Sequence, residues 1–145
     1  MKTFQIVSLN VSHEKGTTKT PVDKIVLKEN HGIVGDAHAG DWHRQVSLLA
    51  MEDIELMQRK LDTITPGDFA ENITTRCIDL ASLPVGTKLT IGATILEITQ
   101  VGKACRKECA ILEQVGDCIM PRRGIFTKVI TGGEITHEST GTYYI

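Results

Sequence analysis

Alternation of apolar and polar positions, with many β-branched side chains, runs through most of this sequence and predicts β-strands. The predicted strands cover seven stretches: residues 4–9, 24–28, 45–49, 88–91, 94–99, 125–130 and 142–145. Gly92 and Ala93 separate two of these strands, an arrangement typical of a hairpin with a tight connection. The pattern therefore indicates a protein built mainly from short strands.

Two stretches have helical spacing instead. In residues 51–61, Ile54, Met57 and Leu61 follow one another at intervals of three and four, which places them on one face of a helix. Residues 106–116 also place apolar side chains on one face. Many short strands with glycine-rich turns and only two helices predict a mainly β fold, a closed or nearly closed β-barrel with two short capping helices.

Composition agrees with one globular domain. The chain has 145 residues, of which 41% are hydrophobic and 23% charged, so residues 1–145 are expected to share a single core. Neither a secretory signal nor an apolar run long enough to cross a membrane is recognisable, and we expect a cytoplasmic protein that does not enter a membrane. The net charge of −2 argues against nucleic acid as a partner.

The cysteines carry the first chemical information. Three of the four, Cys105, Cys109 and Cys118, fall close together in a basic part of an otherwise acidic chain. Cys105 follows a predicted strand and precedes a predicted helix, where the helix dipole and nearby cations favour the thiolate, the nucleophilic and metal-binding form. Cys77, Cys109 and Cys118 are expected to be inert, buried thiols. Their spacing matches neither a structural zinc site nor an iron–sulfur site.

A second candidate site lies between residues 32 and 45, where Asp36, His38, Asp41 and His43 follow one another closely. These side chains are of the types that bind metals, but their spacing matches no closed zinc pattern. The other interpretation is a turn in which Asp and His side chains cap backbone groups.

Residues 66–75 form a third polar stretch, which begins with Pro-Gly-Asp turn chemistry. Asn72 stands where a β-branched strand begins, and at this position it either contacts a ligand or satisfies a neighbouring loop.

Together these stretches resemble the MOSC domain, which is found at the C-terminus of molybdenum cofactor sulfurases and as small stand-alone bacterial proteins. The resemblance follows the family's order and rests on residues 35–40, 44–49, 67–74 and 85–92, and on Cys105.

The resemblance implies a β-rich barrel that carries Cys105 on an open face. MOSC domains are regarded as sulfur carriers, and in some relatives the matching cysteine binds the molybdenum of a pterin cofactor. Ser47 and Asn72 match positions that contact the cofactor in those relatives. At residues 70–71 this chain has Ala-Glu where the reductase branch has Arg-Pro, so a phosphate contact would fall to other arginines.

The resulting hypothesis is a MOSC protein that binds molybdopterin or its molybdenum form, or that carries persulfide sulfur for it. Cys105 is expected to be the persulfide carrier or the ligand to molybdenum. Asp36 and His38 would shape the opposite lip, with His38 as a proton donor or acceptor. The expected cofactor-binding residues are Arg44, Ser47, Asn72, Lys103, Arg106, Lys107, Arg122 and Arg123.

The expected partners are a sulfur donor such as a cysteine desulfurase, a molybdoenzyme or a cofactor-biosynthesis protein. Pyridoxal phosphate is not expected in this chain. Two other functions are weighed against this hypothesis. One is a non-catalytic module that presents the cofactor to a partner enzyme. The other is a small metal-dependent hydrolase built on the Asp and His residues between positions 32 and 45.

Overall fold

The computed structural model describes residues 1–14, 18–102 and 123–144. Along these residues the chain forms eleven strands, one α-helix and one 3-10 turn. In chain order they are β1 (Lys2–Val11), β2 (Thr20–Val22), β3 (Lys24–Lys28), β4 (Gly32–Ile33), β5 (Val46–Ala50), α1 (Met51–Gln58), β6 (Ile73–Arg76), the 3-10 turn Leu80–Ser82, β7 (Lys88–Ile91), β8 (Thr94–Val101), β9 (Ile125–Thr131), β10 (Gly133–Thr136) and β11 (Thr140–Tyr143).

Seven strands close into a barrel, in the order β11-β7-β8-β9-β5-β6-β1, because β1 also pairs with β11. The neighbouring strands are antiparallel except β5 and β6, which are parallel. Residues 2–5 of β1 pair with β11, and residues 9–11 pair with β2. A second sheet contains β10, β3 and β4. The predicted β-barrel is confirmed.

Strand β5 packs against two apolar clusters, one inside the barrel and one that includes residues of α1. All five of its side chains are buried. Leu48 points into the main core of the barrel, whereas Leu49 joins a second apolar cluster with Ile54 and Met57 of α1. A strand that is covered on both faces has a nearly continuous apolar sequence, as residues 46–50 do.

The predicted hairpin at Gly92–Ala93 is confirmed by the pairing of Ile91 with Thr94. The predicted helix at residues 51–61 is confirmed as α1, which ends earlier, at Gln58. The helix predicted for residues 106–116 lies outside the described residues, so the described part of the chain contains one α-helix.

Candidate functional site

Four residues singled out in the sequence line one narrow pocket. His38 and Arg44 come from the loop between β4 and β5, Ser47 from β5, and Asn72 from the position just before β6. The remaining wall consists of Phe69, Ala70 and Phe126. The pocket therefore forms where the long loop, the parallel strand pair and the start of β9 meet.

Asn72 and Ser47 form a buried link between the two parallel strands. The Asn72 Oδ1 atom accepts hydrogen bonds from the Ser47 backbone N–H at 3.0 Å and from its hydroxyl at 3.2 Å. The Asn72 Nδ2 atom donates to the carbonyl of Asn10 in β1 at 3.1 Å. Asn72 thus fixes the position of Ser47 at the pocket, besides lining the pocket itself.

Arg44 provides the pocket with a cation that has an unused donor. Its guanidinium carbon lies 4.7 Å from the centre of the Trp42 ring and 5.6 Å from that of Phe126. Its Nε atom is buried and has no hydrogen-bond partner among the described residues. A planar guanidinium positioned by aromatic rings is suited to a charge-assisted bond with a phosphate or carboxylate. The pocket therefore has the chemistry of an anion site.

Asp36 and Lys19 form a buried ion pair behind the pocket. The Lys19 Nζ atom lies 2.8 Å from Asp36 Oδ1, and neither side chain is exposed to solvent. Lys19 Nζ also lies 3.0 Å from Nδ1 of His38. The backbone N–H of His38 donates to Asp36 Oδ2 at 3.1 Å. Asp36 thus acts on the pocket through Lys19 and His38.

Burial and pairing act in opposite directions on this ion pair. Burial lowers the pKa of Lys19, and the hydrogen bond and charge of Asp36 offset part of that effect. Burial alone would raise the pKa of Asp36, but Lys19 and the backbone N–H groups of Ser12 and His38 hold it below its ordinary value. Asp36 is therefore a carboxylate that is already committed to partners.

Glu71 is a second buried acid, next to Asn72. One of its oxygens accepts a hydrogen bond from the Thr74 hydroxyl at 2.8 Å, and the other has no partner among the described residues. Burial raises the pKa of Glu71 to about 7. A carboxyl group with this pKa changes its protonation state near neutral pH.

Sequence reasoning missed Lys19 and gave Glu71 no role at the site. Lys19 stands in a turn-rich stretch, where a lysine is usually solvated. The glycine at position 67 was the available signal, because a Cβ there would collide with the backbone carbonyl of Lys19. That close approach brings residues 18–22 against the loop before β6.

Arg123 is engaged by carboxylates rather than open to a ligand. Its Nε lies 3.2 Å from both oxygens of Asp53 in α1, and its Nη2 lies 2.5 Å from Asp79. A phosphate at Arg123 would have to compete with these two ion pairs.

The other predicted residues, Cys105, Lys103, Arg106, Lys107 and Arg122, lie outside the described residues. The described positions on either side of them are adjacent, since the backbone N–H of Gly102 donates to the carbonyl of Gly124 at 2.7 Å. Gln100 pairs in register with Phe126, which lines the pocket. The end of β8 and the start of β9 therefore both lie within a few residues of the pocket.

Of the four Asp and His residues between positions 32 and 45, Asp36 and His38 lie together, but Asp41 and His43 have other partners. Asp41 accepts a hydrogen bond from Asn30 at 3.2 Å, and His43 contacts Gln100 at 2.9 Å. Within the described ranges, no three His, Cys, Asp or Glu side chains stand close enough to hold a metal ion. The described residues give no support to a metal-dependent hydrolase.

Cys77 is exposed, so the expectation of a buried thiol was wrong for this residue. It follows β6 with a φ of +73° and donates its backbone N–H to Glu52 at 2.9 Å. The strand ends there, which turns the residue away from the core.

Among the described residues, no helix is long and apolar enough to cross a membrane. The family model for the MOSC domain matches residues 35–141. No curated protein sequence gives a significant match.

Solved structures resemble the chain over nearly its whole length. The YuaD protein from Bacillus subtilis is 18% identical, with a TM-score of 0.81, and 97% of this chain matches 94% of that one. YiiM from Geobacillus stearothermophilus is 20% identical with a TM-score of 0.74, over 98% and 75% of the two chains. YiiM from Escherichia coli is 15% identical with a TM-score of 0.72, over 100% and 71%. At these identities the likeness shows a shared fold.

Proposed function

The chain belongs to the MOSC domain family, and from that premise we propose that it binds the molybdenum cofactor or molybdopterin, or carries persulfide sulfur for that cofactor, through Cys105. The family is associated with molybdenum cofactor binding.

The observation that supports cofactor binding is the buried Nε of Arg44. A buried donor without a partner costs free energy, about 1–3 kcal/mol, unless a ligand satisfies it. A phosphate group on a pterin would accept a bond from this Nε at the pocket formed with His38 and Ser47. The donor at this pocket is therefore of the kind that would bind an anionic group of the cofactor.

Cys105 is the residue proposed to hold sulfur or molybdenum. Lys103, Arg106 and Lys107 flank it in the sequence and favour its thiolate form. A thiolate is a soft ligand suited to molybdenum, and the bound group would supply a redox-active metal centre. The adjacency of Gly102 and Gly124 beside the pocket supports a role for Cys105 there.

Sulfur carriage would proceed by persulfide exchange. The Cys105 thiolate attacks the outer sulfur of a donor persulfide, the donor S–S bond breaks, and the donor leaves as a thiolate. A cysteine desulfurase is the class of protein that offers such a persulfide, and a molybdoenzyme or cofactor-biosynthesis protein would receive the sulfur. This exchange needs no external oxidant or reductant.

Anaerobic purification followed by mass spectrometry and pterin fluorescence tests the proposal. We expect a bound pterin, or a sulfur atom added to the peptide that contains Cys105. Replacement Arg44→Ala should lower the pterin content at least ten-fold, since each charge-assisted bond is worth roughly 1.5–3 kcal/mol. Failure to react with a persulfide donor, together with a stable complex with a cofactor-biosynthesis protein, would favour the cofactor-presenting module.

Arg59→Ala is the matched control, because Arg59 is an exposed arginine at the end of α1. Its pterin content should equal that of the wild-type protein. Undiminished pterin in Arg44→Ala would remove Arg44 from the proposal. Absence of both pterin and added sulfur from the wild-type protein would overturn the proposal itself.

A further inference from the structure

Arg44 differs from two other arginines of the fold in what holds its charge. Arg76 pairs with Glu55 at 3.0 Å, and Arg123 pairs with Asp53 at 3.2 Å. Among the described residues, by contrast, no carboxylate forms an ion pair with Arg44, and its buried Nε has no hydrogen-bond partner. The guanidinium of Arg44 is therefore held in another way.

Two aromatic rings hold this guanidinium. Its central carbon lies over the Trp42 ring, 4.7 Å from the ring centre, and 5.6 Å from the centre of the Phe126 ring. Both distances are within about 6 Å, the range of a cation–π interaction, for which tryptophan is the best partner. A ring attracts the cation through its π face, whereas a carboxylate would accept hydrogen bonds from the N–H groups. Trp42 therefore fixes Arg44 and leaves the Nε–H donor for a ligand.

The Trp42 ring is itself held in a defined orientation. Its indole N–H donates to the backbone carbonyl of His38 at 2.8 Å, and its backbone N–H donates to the carbonyl of Gly40 at 3.0 Å. The ring also lies edge-to-face with His43, with 5.9 Å between the ring centres and an angle of 74° between the planes. These contacts fix the ring that Arg44 lies over.

We propose that Trp42 is a positioning residue of the anion site, whose ring holds the Arg44 guanidinium so that the Nε–H donor meets an oxygen of a phosphate-type anion. A carboxylate would also fix the guanidinium, but it would compete with the ligand for the same donors. That the ligand is an anion rests on the proposed function, whereas the contact between Trp42 and Arg44 does not.

The size of the pocket limits how an anion approaches this donor. The space that Arg44 lines with Ser47 and Asn72 has a volume of about 20 Å³, which is room for about one water molecule. A whole phosphate group does not fit into this space, whereas one of its oxygens does. The ligand therefore enters with a terminal oxygen, and the rest of the group lies outside the pocket. This approach suits phosphate or a phosphate monoester, whose oxygens project from a small centre.

Titration with inorganic phosphate tests the proposal in the wild-type protein. The Arg44 Nε–H resonance is identified in ¹H–¹⁵N spectra by its absence from Arg44→Ala, and phosphate should shift it. Trp42 is the single tryptophan, and its fluorescence should change with the same dissociation constant, because the anion compensates the charge beside its ring. A shift of the Arg44 resonance without a change in fluorescence would overturn the role of Trp42. No shift of the Arg44 resonance would show that water satisfies Nε, and would count against the anion site as well.

Two replacements of Trp42 separate its ring from its hydrogen bond. Trp42→Leu removes the ring and should weaken phosphate binding about ten-fold, as expected for the loss of a partly buried cation–π contact. Trp42→Phe keeps a ring but loses the indole N–H, and it should retain most of the affinity. Unchanged affinity in Trp42→Leu would overturn the positioning role and leave the anion site intact. Equal losses in both variants would assign the effect to the hydrogen bond with the His38 carbonyl, which also contradicts the proposal.

Tyr144→Leu is the matched control, because it removes an aromatic side chain from a residue that is 72% exposed. It should bind phosphate as the wild-type protein does. Urea unfolding of each variant shows whether the replacement disturbs the fold. If Trp42→Leu does not fold, Trp42→Phe and the fluorescence of the wild-type protein decide the question. A loss of affinity in folded Trp42→Phe as large as that in Arg44→Ala would then overturn the role of the ring.

Discussion

Three ionisable side chains are buried behind the pocket, and they differ in how well their charges are compensated. Lys19 and Asp36 pair with each other at 2.8 Å, whereas Glu71 has one oxygen without a partner in the described part of the chain. Removing one member of a buried pair typically costs about 3–5 kcal/mol, because the other charge is left uncompensated. Glu71 has no cation in direct contact among the described residues, and it avoids the cost of a buried charge by holding its proton. Substitutions of single residues at this site should therefore change the free energy of unfolding in different directions and by different amounts.

Glu71→Gln tests the protonation of this acid. The folded pKa of about 7 lies above the unfolded value of 4.5, so the protein favours the protonated form. The contribution of Glu71 to stability is thus fully present below pH 4.5 and is lost as the pH rises through 7. Glutamine resembles the protonated acid, so the variant should gain about 3 kcal/mol of relative stability between pH 5 and pH 8.

Urea unfolding at a series of pH values measures this difference. Glu138→Gln is the control, because it makes the same chemical change at an exposed glutamate. Parallel stability curves for Glu71→Gln and the wild-type protein would show that Glu71 ionises normally in the fold.

The cysteines provide a second prediction about single residues. Cys105 should react with iodoacetamide before the exposed Cys77, because the cations that flank Cys105 in the sequence favour its thiolate, which is the reactive form. Peptide mapping over a time course measures the order, and Cys77→Ser should leave the rate at Cys105 unchanged. Earlier labelling of Cys77 would contradict the environment predicted for Cys105.

The position of the pocket depends on how the loop before β6 meets the residue that precedes β2. Gly67 has a φ of +95°, and a Cβ there would collide with the backbone carbonyl of Lys19. The same glycine accepts the Lys19 backbone N–H at 2.8 Å. This close approach is what carries Lys19 under the pocket.

Gly67→Ala and Gly86→Ala separate backbone strain from this contact. Gly86 has nearly the same φ, +97°, but nothing lies within 4 Å of its added Cβ. Gly86→Ala should cost ~1–2 kcal/mol of stability for the left-handed backbone alone. Gly67→Ala should cost a further ~1–3 kcal/mol because backbone must move. Equal losses in urea unfolding would show that the approach of Lys19 is not tight.

Arg123 joins the start of β9 to α1 and to the segment after β6. Because the Arg123 side chain is 38% exposed, solvent screens its ion pairs with Asp53 and Asp79. Arg123→Ala should therefore lower the free energy of unfolding by about 1 kcal/mol or less, with no change in pterin content. Arg59→Ala serves again as the control. A ten-fold loss of pterin in Arg123→Ala would give Arg123 the binding role predicted from the sequence.

For the molecule as a whole, closure of the barrel is the dominant constraint. Strand β1 pairs with β11, the last described strand along the chain, and also with β6, which lies midway along the chain. The first and last of the described strands therefore depend on each other. A closed sheet leaves few strands that can be lost alone.

We therefore predict a single cooperative unfolding transition. Far-ultraviolet circular dichroism follows the barrel, and the fluorescence of Trp42, the single tryptophan, follows the pocket. The two midpoints in urea should coincide. An earlier transition at Trp42 would show that the pocket loop unfolds separately from the barrel.

Local patterns were enough to predict the barrel strands with clear alternation and the hairpin at Gly92–Ala93. They were also enough to single out His38 and Asn72 in polar stretches, whereas Ser47 and Arg44 were selected through the resemblance to the MOSC domain. Strands β2 and β4 were missed because two or three residues are too few to show a period, and β10 was missed because Ile135 is its only large apolar residue.

Only the tertiary structure decided that Lys19 lies at the site, that no cation of the described residues contacts Glu71 directly and that Arg123 is engaged by carboxylates. Lys19 reads as a surface residue because its partner Asp36 is 17 positions away, and Arg123 meets Asp53 across 70 positions. Closure of β1 on β11 likewise joins residues at the two ends of the chain. The alternation of side chains is a local property, so the sequence by itself determined the longer strands. The environment of a charge depends on which distant residues the closed barrel places next to it, so only the fold determined the chemistry of the site.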